Sequence, residues 1–472
     1  MKLPEAIDHP VFAALRSAAE KVGLRSYVIG GFVRDYLLQR PSKDIDVVVE
    51  GRGIDLAQAF AEHTQSEKTA YYENFGTAMV VFGDYIVEFV GARRESYNRG
   101  SRKPVVEEGS LADDQIRRDF TINAMSISLN ADDYGQLHDP FNGVADLNEG
   151  IIRTPTDPKI TFSDDPLRMM RAVRFATQLD FHIEEATYAA LNQNRDRIKI
   201  VSQERITEEM NKMILAPVPS KGFKILFNTG LLHLIFPDMV KLHGVDFVNG
   251  RGHKDNFYHT LQVLDNLCAM SDDLWLRWAA ILHDIAKPAT KRYYPKQGWT
   301  FHGHEDLGAR WVPRIFKQMR LPLDQKMKFV QKMVKLHLRP IALVDDIVTD
   351  SAVRRLIVDA GEDLDALMTL CRADITTRNA NKMKRILRNF DEVEKKIKDV
   401  EERDQLRNWQ PPVTGDMIMQ MFQIPPSRMV GQIKEAVREA ILEGDIPNEK
   451  EAAVAFARSV GEQILLEQEK SK

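Results

Sequence analysis

The chain has 472 residues, and its 65 lysines and arginines nearly balance its 69 aspartates and glutamates. This length allows roughly two to four domains, whereas the balanced charge excludes a uniformly basic surface, so any nucleic-acid contact must use local patches. The two cysteines are too few for a disulfide framework. The sequence shows neither a signal peptide nor an apolar run that could span a membrane, so we expect a cytoplasmic protein with no membrane partner.

The first predicted element is an amphipathic helix over residues 5–23. The apolar run at 27–29 then predicts a buried strand that stops at Gly30 and Gly31. Glycine tolerates positive φ and lets the backbone approach a ligand closely. The next residues predict a helix whose first turn carries Arg34. Because a helix N-terminus presents free backbone N–H groups, this turn predicts a phosphate-binding site.

A second strand begins at Asp44 and carries Asp46 on the same face, since strand side chains alternate. Two neighbouring carboxylates repel each other unless a cation lies between them. Mg²⁺ suits this position, because proteins hold it with one or two carboxylates plus substrate phosphates. A lone Asp-x-Asp pair is more typical of a solvated strand start, but the preceding glycine turn and arginine favour the metal site.

The pattern that carries the resemblance is Gly30-Gly31-x-Val33-Arg34-Asp35-x-Leu37-Leu38, followed by Asp44-x-Asp46. It resembles the polymerase-β-type nucleotidyltransferases, and more narrowly the class II tRNA nucleotidyltransferases (CCA-adding enzymes) and bacterial poly(A) polymerases. The resemblance implies an α+β fold whose head contains a small mixed β-sheet. It also implies that Gly30, Gly31 and Arg34 bind nucleotide, and that Asp44 and Asp46 are catalytic and hold two Mg²⁺ ions.

Two further strands are predicted at 77–82 and 85–90, joined by a turn at Gly83-Asp84. Glu88 lies on the second strand among apolar neighbours, which is costly for an acid unless it is paired or binds a metal. The resemblance implies a third catalytic carboxylate near this position, and we assign it to Glu88. A salt-bridged or edge-strand glutamate is an equal alternative.

The polar stretch 93–111 follows, with basic residues at Arg93, Arg94, Arg99, Arg102 and Lys103. It contains two glycines and a proline and has little periodicity, so it predicts a mobile loop. In the family that the chain resembles, a flexible loop at this place helps to switch from CTP to ATP. An ordinary solvated connector is the alternative.

Residues 117–124 match the family's second motif and lead into a strand at 125–129. Arginines there suit bidentate contact with phosphate or ribose oxygens, and Arg118 is our candidate. Asp119 is a candidate acceptor for a ribose hydroxyl, which would distinguish NTP from dNTP. The alternative for Asp119 is a surface salt bridge.

Asp165-Pro166 predicts the start of a helix on which Arg168, Arg171 and Arg174 recur every three residues. Three arginines in a row repel one another, so an acceptor-rich partner is expected. The resemblance implies that this segment reads the incoming base. Cytosine and adenine both present an amino group beside a ring nitrogen, whereas guanine and uracil present a carbonyl instead of the amino group. Asp165 also has the alternative role of a helix cap.

His259 begins a later predicted helix, the pair His283-Asp284 follows an apolar run, and Asp374 lies far downstream. This order resembles the HD phosphohydrolase domain and implies a metal site formed by these four residues. Imidazole and carboxylate together suit a divalent transition metal such as Mn, Ni or Fe, or Mg with added waters. Such a domain can also persist as a scaffold. The histidines that lie between these motifs are His302, His304 and His337.

We therefore predict a nucleotidyltransferase head (1–150), an all-α neck with the base-recognition residues (151–240), an HD domain (241–375) and a helical tail whose basic residues are candidates for tRNA contact (376–472). The expected function is addition of CCA to the 3′ end of tRNA from CTP and ATP. An A-adding, CC-adding or poly(A)-adding relative would share every motif.

Two alternatives from other classes remain. One is an HD phosphodiesterase or phosphatase as the main activity, and the other is a non-catalytic RNA-binding module. Both are disfavoured because Asp44, Asp46, Asp165 and Arg168 are all present.

Overall fold

The computed structural model describes residues 1–97, 104–248, 250–345, 349–377, 379–404 and 409–470. These residues form two compact units. The first is Met1–Lys241 with Gln318–Leu321, and the second is Leu242–Lys317 with Pro322–Lys472. No helix in these described ranges has the length and apolar character needed to cross a bilayer.

A mixed β-sheet lies at the start of the first unit. The strands of this region are β1 (Arg25–Ile29), β2 (Asp44–Glu50), β3 (Thr69–Tyr72), β4 (Thr77–Phe82), β5 (Tyr85–Gly91), β6 (Arg93–Tyr97), β7 (Pro104–Glu108), β8 (Ser126–Ser128) and β9 (Leu137–His138). Its helices are α1 (Pro10–Val22), α2 (Gly31–Leu37), α3 (Gly53–Thr64), α4 (Leu111–Ile116) and α5 (Gly143–Glu149). Within the described residues the sheet has seven strands in the order β3-β4-β5-β2-β1-β8-β9.

The centre of the sheet is β2, which pairs antiparallel with β1 and parallel with β5. Ile45, Val47 and Val49 are fully buried, as the alternation predicts, and α3 packs against β4 and β5. On the opposite face Val48 is buried with Tyr27 in a smaller apolar cluster, while Asp44 stays exposed. On the face that carries Asp44, the sheet is therefore exposed where β2 begins.

The stretch predicted as a mobile loop contains an antiparallel hairpin of β6 and β7. Its register pairs Arg93 with Glu108 and Arg94 with Glu107. Opposite charges across a ladder stabilise it, and a search for apolar periodicity overlooks such pairs. Arg99, Arg102 and Lys103, which belong to the same prediction, lie outside the described residues.

Helices form the rest of the first unit. They are α6 (Pro158–Asp164), α7 (Leu167–Gln178), α8 (Glu185–Asn194), α9 (Gln203–Ile214), α10 (Ser220–Asn228), α11 (Leu231–Ile235) and α12 (Pro237–Val240), with a small parallel ladder of β10 (Ile151–Ile152) and β11 (His182–Ile183). The core of this region packs α7 against α9 and α10. Met170 and Val173 from α7 are buried there with Met213 from α9.

The second unit is helical with two small antiparallel ladders. Its helices are α13 (Asn256–Cys268), α14 (Leu274–Leu282), α15 (Lys287–Thr290), α16 (His304–Gln318), α17 (Gln325–Leu336), α18 (Leu338–Asp345), α19 (Asp350–Ala360), α20 (Leu364–Ala373), α21 (Ala380–Asp404), α22 (Gly415–Phe422), α23 (Arg428–Glu443) and α24 (Lys450–Lys470). The ladders pair β12 (Phe247–Val248) with β13 (Arg251–Gly252) and β14 (Arg292–Tyr294) with β15 (Gly298–Thr300).

The predicted α+β class, with a mixed sheet followed by helices, is confirmed. The short ladders after residue 150 were not predicted, because two- and three-residue strands leave no periodicity in the sequence. The four-part division at residues 150, 240 and 375 stays a prediction, since the chain separates into two compact units.

Candidate functional sites

Three carboxylates meet at the open end of the sheet. The register of β2 and β5 pairs Asp46 with Glu88, and Asp44 lies two residues earlier on the same face. Burial raises the pKa of Asp46, and the charges of Asp44 and Asp114 raise it further against the opposing effect of Arg118. Desolvation, then Asp46 and Asp44, raise the pKa of Glu88. These raised values reflect burial first and the neighbouring carboxylates second. An all-oxygen donor set of this kind fits Mg²⁺.

The glycine turn lies directly behind Asp46. Gly30 has a φ of +78°, and a Cβ there would lie 2.9 Å from Arg118 Nη1 and 3.5 Å from Asp46 Oδ2. Only glycine therefore fits both the backbone and the space. The Gly30 N–H donates to the carbonyl of Met125 at 3.2 Å, so this donor already has a partner within the protein.

Arg34 is turned inward. Its Nε and Nη2 donate to the two oxygens of Asp35, each at 2.9 Å, and its Nη1 donates to Asn123 Oδ1 at 2.8 Å. The guanidinium also lies over the ring of Phe175. The structure thus uses Arg34 to join α2 to the segment after α4, and it brings neither Arg34 nor Gly31 to the cavity described below.

Two consecutive arginines share one buried acid. Asp114 accepts from Nε of Arg117 and Nε of Arg118, both at 3.0 Å. Arg117 also lies 3.3 Å from Glu95 on β6. This bonding fixes the base of the Arg118 guanidinium and leaves its Nη1 beside the glycine turn and Asp46.

The buried Asp119 forms an ion pair with the partly exposed Arg171, whose Nε donates to Oδ2 at 2.6 Å. Its Oδ1 accepts from the Phe120 N–H and from Asn123 Nδ2. Burial on its own would raise the pKa of Asp119, but Arg171 and the bond from Asn123 lower it to about 2. The salt bridge that was the alternative for Asp119 is therefore present but partly buried, and the ribose contact stays a prediction.

Asp165 and Arg168 lie at the start of α7. Asp165 Oδ1 accepts from the Leu167 N–H at 3.1 Å. The N-cap residue of α7 is Pro166, so Asp165 holds the first N–H of the helix from one residue before the cap position. Arg168 Nη2 donates to the carbonyl of Arg117. This bond uses one of the five guanidinium N–H groups, so Arg168 is anchored and retains donors for a ligand.

Arg174 points elsewhere, to Glu209 on α9 at 2.7 Å, and stacks 4.1 Å from the ring centroid of Phe175. A spacing of three residues turns about 300° around a helix, so each arginine is rotated about 60° from the one before. After two steps Arg174 has left the face of Arg168. Each of the three arginines has its own acceptor, which offsets part of the repulsion among them.

These elements enclose a cavity of about 490 Å³ in the first unit. Most of the residues predicted to act there line it: Asp46, Glu88, Arg118, Asp119, Asp165, Arg168 and Arg171. Sequence reasoning did not assign Tyr72, Arg93, Arg117 or Arg205 to this site, although they line it too. The position of Arg205 in the sequence could not by itself show that α9 brings it to the cavity.

A second cluster lies in the second unit. Asp284 and His283 follow the end of α14, and both are 1% exposed. His259 Nε2 lies 2.9 Å from Asp374 Oδ1 and 3.5 Å from Asp284 Oδ2. His283 Nε2 lies 3.2 Å from Asp284 Oδ2. The structure thus brings together the four residues predicted from separate motifs, and these nitrogen and oxygen donors fit a divalent transition metal.

Two more histidines complete this cluster, His304 from α16 and His337 just after α17, whereas His302 is exposed. Burial, together with the positive charge of His283, lowers the pKa of His337 to about 3, so its imidazole is neutral. A cavity of about 390 Å³ opens beside His259 and Asp374. The cationic and aromatic residues that line it are Lys254, Lys287, Lys382, Phe301 and Phe390.

Comparison with known families matches three parts of the chain. The Poly A polymerase head domain matches residues 26–153, the probable RNA and SrmB-binding site of polymerase A matches 180–242, and the HD domain matches 256–379.

Individual relatives extend this match. The multifunctional CCA protein of Shewanella frigidimarina is 31% identical over 64% of this chain and 71% of that protein. The A-adding tRNA nucleotidyltransferase of Aquifex aeolicus is 43% identical over 40% of this chain, a match that spans only 23% of that protein's length. The structure of the Bacillus stearothermophilus CCA-adding enzyme in complex with CTP is 24% identical, covers 98% of this chain and all of its own, and has a TM-score of 0.64, which establishes the shared fold.

Proposed function

We propose, from the premise that this chain belongs to the family of tRNA nucleotidyltransferases with a poly(A) polymerase-type head, that it adds nucleotides to the 3′ end of tRNA. One observation carries the proposal: a single cavity joins Asp46 of β2 and Glu88 of β5 to the arginines and aspartates of the next two motifs. Anionic and cationic groups then face each other across a space large enough for a nucleoside triphosphate.

In this reaction the 3′-hydroxyl oxygen of the RNA bonds to the α-phosphorus of the nucleotide, and the bond from that phosphorus to pyrophosphate breaks. Asp44 and Asp46, with Glu88 beside them, would hold two Mg²⁺ ions. When bound, these ions lower the pKa of the attacking hydroxyl and stabilise the charge that develops on the phosphoryl oxygens. Arg118 is held against Asp46 by Asp114, so its remaining donors are positioned for phosphate oxygens.

Base choice is assigned to Asp165 and Arg168. The two side chains leave adjacent turns at the start of α7 and line the same cavity. A carboxylate accepts from an exocyclic amino group while a guanidinium donates to a ring nitrogen. Cytosine and adenine satisfy both contacts, and uracil and guanine do not. Asp119 and Arg171, which are paired with each other, line the same cavity.

We expect CTP and ATP as substrates and the full CCA sequence as the product, and we place the reaction in the cytoplasm. The test is incubation of the full chain with tRNA that ends before CCA, before CA or before A, supplied with each NTP alone. Addition of two C residues and then one A supports CCA addition. If the chain adds only A, and only to tRNA that ends in CC, it is an A-adding enzyme. If it adds only C, it is a CC-adding enzyme. If it adds long tracts of A, it is a poly(A) polymerase.

A second function is supported by the cluster in the second unit. Four histidine nitrogens and two carboxylates converge beside a cavity that carries three lysines. This arrangement suits hydrolysis of a phosphate ester, in which a water oxygen bonds to phosphorus and the ester alcohol leaves with a proton. A metal ion bound there would supply Lewis-acid activation of water and phosphate. Lys254, Lys287 and Lys382 would hold the anionic phosphate.

The assay for this function uses 2′,3′-cyclic nucleotides and phosphate monoesters with Mn²⁺, Ni²⁺ or Mg²⁺. Hydrolysis that is lost in His259→Ala supports the assignment. No hydrolysis with any of these metals, together with no bound metal by elemental analysis, would leave this part of the chain as a scaffold.

A further inference from the structure

We propose that Tyr72 stacks against the 3′-terminal base of the RNA that receives the nucleotide, and so holds the attacking hydroxyl near the carboxylates of the first unit. The proposal rests on the nucleotide addition proposed above, and it names a contact for the second substrate of that reaction. No motif in the sequence pointed to Tyr72, although it lines the same cavity as Asp46 and Glu88.

Tyr72 lies on the same face of the sheet as the carboxylates. Strand pairing places Thr77 opposite Tyr72 on one side and opposite Val90 on the other. Val90 is two residues from Glu88, which pairs with Asp46, so all these side chains share one face. Two strand spacings separate β5 from β3, about 10 Å, which the sugar and base of one nucleotide can span.

The direction of the reaction places the RNA on the side of Tyr72. Arg118, the candidate phosphate ligand, lies beside Asp46 at the Gly30 turn, and this turn directly follows β1. β1 and β5 pair with opposite edges of β2. The attacking and leaving oxygens of a phosphoryl transfer are roughly in line. With pyrophosphate leaving toward Arg118, the RNA hydroxyl approaches from the side of β5, where Glu88 and Tyr72 lie.

The lining of the cavity changes in the same direction. The residues that β3 and β4 contribute to it are all uncharged: Tyr72, Thr77, Ala78 and Met79. Uncharged groups suit a base better than a phosphate. The terminal base of a tRNA changes as nucleotides are added, so the contact that holds it must accept different bases. Aromatic stacking meets this requirement, because every base has a π-face.

Tyr72 is also accessible to RNA. It is the last residue of β3, which is an edge strand of the sheet within the described residues, and it is 49% exposed. The preceding residue, Tyr71, is 38% exposed but lies on the opposite face and does not line the cavity. The two tyrosines therefore distinguish stacking in the cavity from exposure at the edge of the sheet.

The first measurement compares Tyr72→Ala, Tyr72→Phe and Tyr71→Ala in single-nucleotide addition by the full chain to tRNA. Tyr72→Ala should raise KM for tRNA roughly fivefold to 150-fold, which is the range expected for the loss of one stacked base. The rise should appear with each of the four bases at the 3′ end, and KM for the nucleotide should stay unchanged. Tyr72→Phe keeps the ring and should behave as the wild type, as should the matched control Tyr71→Ala.

The second measurement needs no turnover. A tRNA whose 3′-terminal base is 2-aminopurine is bound to the full chain at saturating protein concentration, with Mg²⁺ and without NTP. Stacking on an aromatic ring quenches the fluorescence of 2-aminopurine. The wild type, Tyr72→Phe and Tyr71→Ala should therefore quench it more strongly than Tyr72→Ala does.

Equal kinetic effects of Tyr72→Ala and Tyr71→Ala would overturn the proposal, as would a rise in KM for the nucleotide in place of tRNA, or equal quenching by the wild type and Tyr72→Ala. If Tyr72→Ala does not fold, Tyr72→Leu takes its place, because leucine keeps the apolar bulk and lacks a π-face. The two proposals fail separately. A wild-type chain that extends no tRNA refutes the proposed function, whereas normal addition by Tyr72→Ala leaves that function intact and refutes the role of Tyr72.

Discussion

At the scale of single residues, Asp46 has the most constrained position in the first unit. It lies between Glu88 on the neighbouring strand and the Gly30 turn, with Arg118 as its nearest compensating charge. In the metal-free protein its raised pKa means that the ionised carboxylate is disfavoured in the folded state. This penalty is fully present above the raised pKa, decreases as the pH falls through it, and is gone below the ordinary aspartate pKa of the unfolded chain.

Asp46→Asn should therefore raise the melting temperature in EDTA at neutral pH and abolish the rise that Mg²⁺ gives in the wild type. Nucleotide addition should fall at least roughly hundredfold, because the loss of a metal ligand costs several kcal/mol of transition-state stabilisation. Thermal unfolding with and without Mg²⁺, and single-turnover addition to tRNA, check both effects. Asp44→Ala should also be folded and inactive, and near-normal turnover by both variants would refute the assignment.

Asp165 and Arg168 give a prediction about selectivity. A mismatched base leaves a buried polar group unpaired at a cost of about 1–3 kcal/mol, which is roughly tenfold to a few hundredfold per contact. Asp165→Ala should lower the rate and relax discrimination against UTP and GTP, although part of the loss will come from the missing bond to the first N–H of the helix. Arg168→Ala should weaken use of CTP and ATP.

The measurement is incorporation of each of the four NTPs on one tRNA. Arg174→Lys is the matched control, because Arg174 belongs to the same row but pairs with Glu209 outside the cavity. It should leave the ratios among the four nucleotides unchanged. If Asp165→Ala and Arg168→Ala also keep the wild-type ratios, the base is read elsewhere.

At the scale of elements, the side chain of Glu95 links the hairpin of β6 and β7 to the candidate nucleotide site. This side chain is 3% exposed and lies 2.8 Å from Arg93 and 3.3 Å from Arg117. The carbonyl of Arg117 in turn accepts from Arg168. A change in the hairpin can therefore reach Arg168, which we propose reads the base, through Glu95.

Glu95→Gln should lower the free energy of unfolding by about 1–3 kcal/mol, because it removes the charge that compensates two arginines. It should also raise KM for CTP and ATP, because Arg117 would lose its ion pair with Glu95 and be held less firmly. Glu107→Gln is the control on β7, since Glu107 is exposed opposite Arg94, and its effect should stay within about 0.5 kcal/mol. Chemical denaturation and steady-state kinetics test both variants, and equal effects would refute the special role of Glu95.

The elements that could be predicted are those with local signals. In Asp44–Glu50, side chains alternate between the two faces of the strand, and a glycine turn precedes it. Both features depend only on neighbouring residues, so the strand and the shared face of the two aspartates follow from the sequence. The partners of Glu95 and Arg205 are set by packing between distant segments, and no spacing encodes them. Arg174 shows that the same holds within one helix. A three-residue spacing rotates each arginine away from the one before, and the sequence does not show which of them no longer faces the cavity.

At the scale of the whole molecule, the two candidate sites lie in different compact units. The cavity with Asp46 is lined by residues of the first unit alone, and the cavity with His259 by residues of the second unit alone. The donor groups differ as well, since carboxylates such as those of the first site suit Mg²⁺ and imidazoles such as those of the second favour transition metals. We therefore expect two activities with separate metal requirements.

His283→Ala should abolish phosphate-ester hydrolysis and leave nucleotide addition within about twofold of the wild type, because removing this ligand perturbs groups of the second unit only. Asp46→Asn should have the opposite pattern. The measurement is both activities on the same preparations, with Mg²⁺ alone for addition and with Mn²⁺ or Ni²⁺ for hydrolysis. Loss of addition in a folded His283→Ala protein would show that the two sites are energetically coupled. The additive behaviour expected for separate units would then fail, and the hydrolase site would have to be regarded as part of the machinery that extends tRNA.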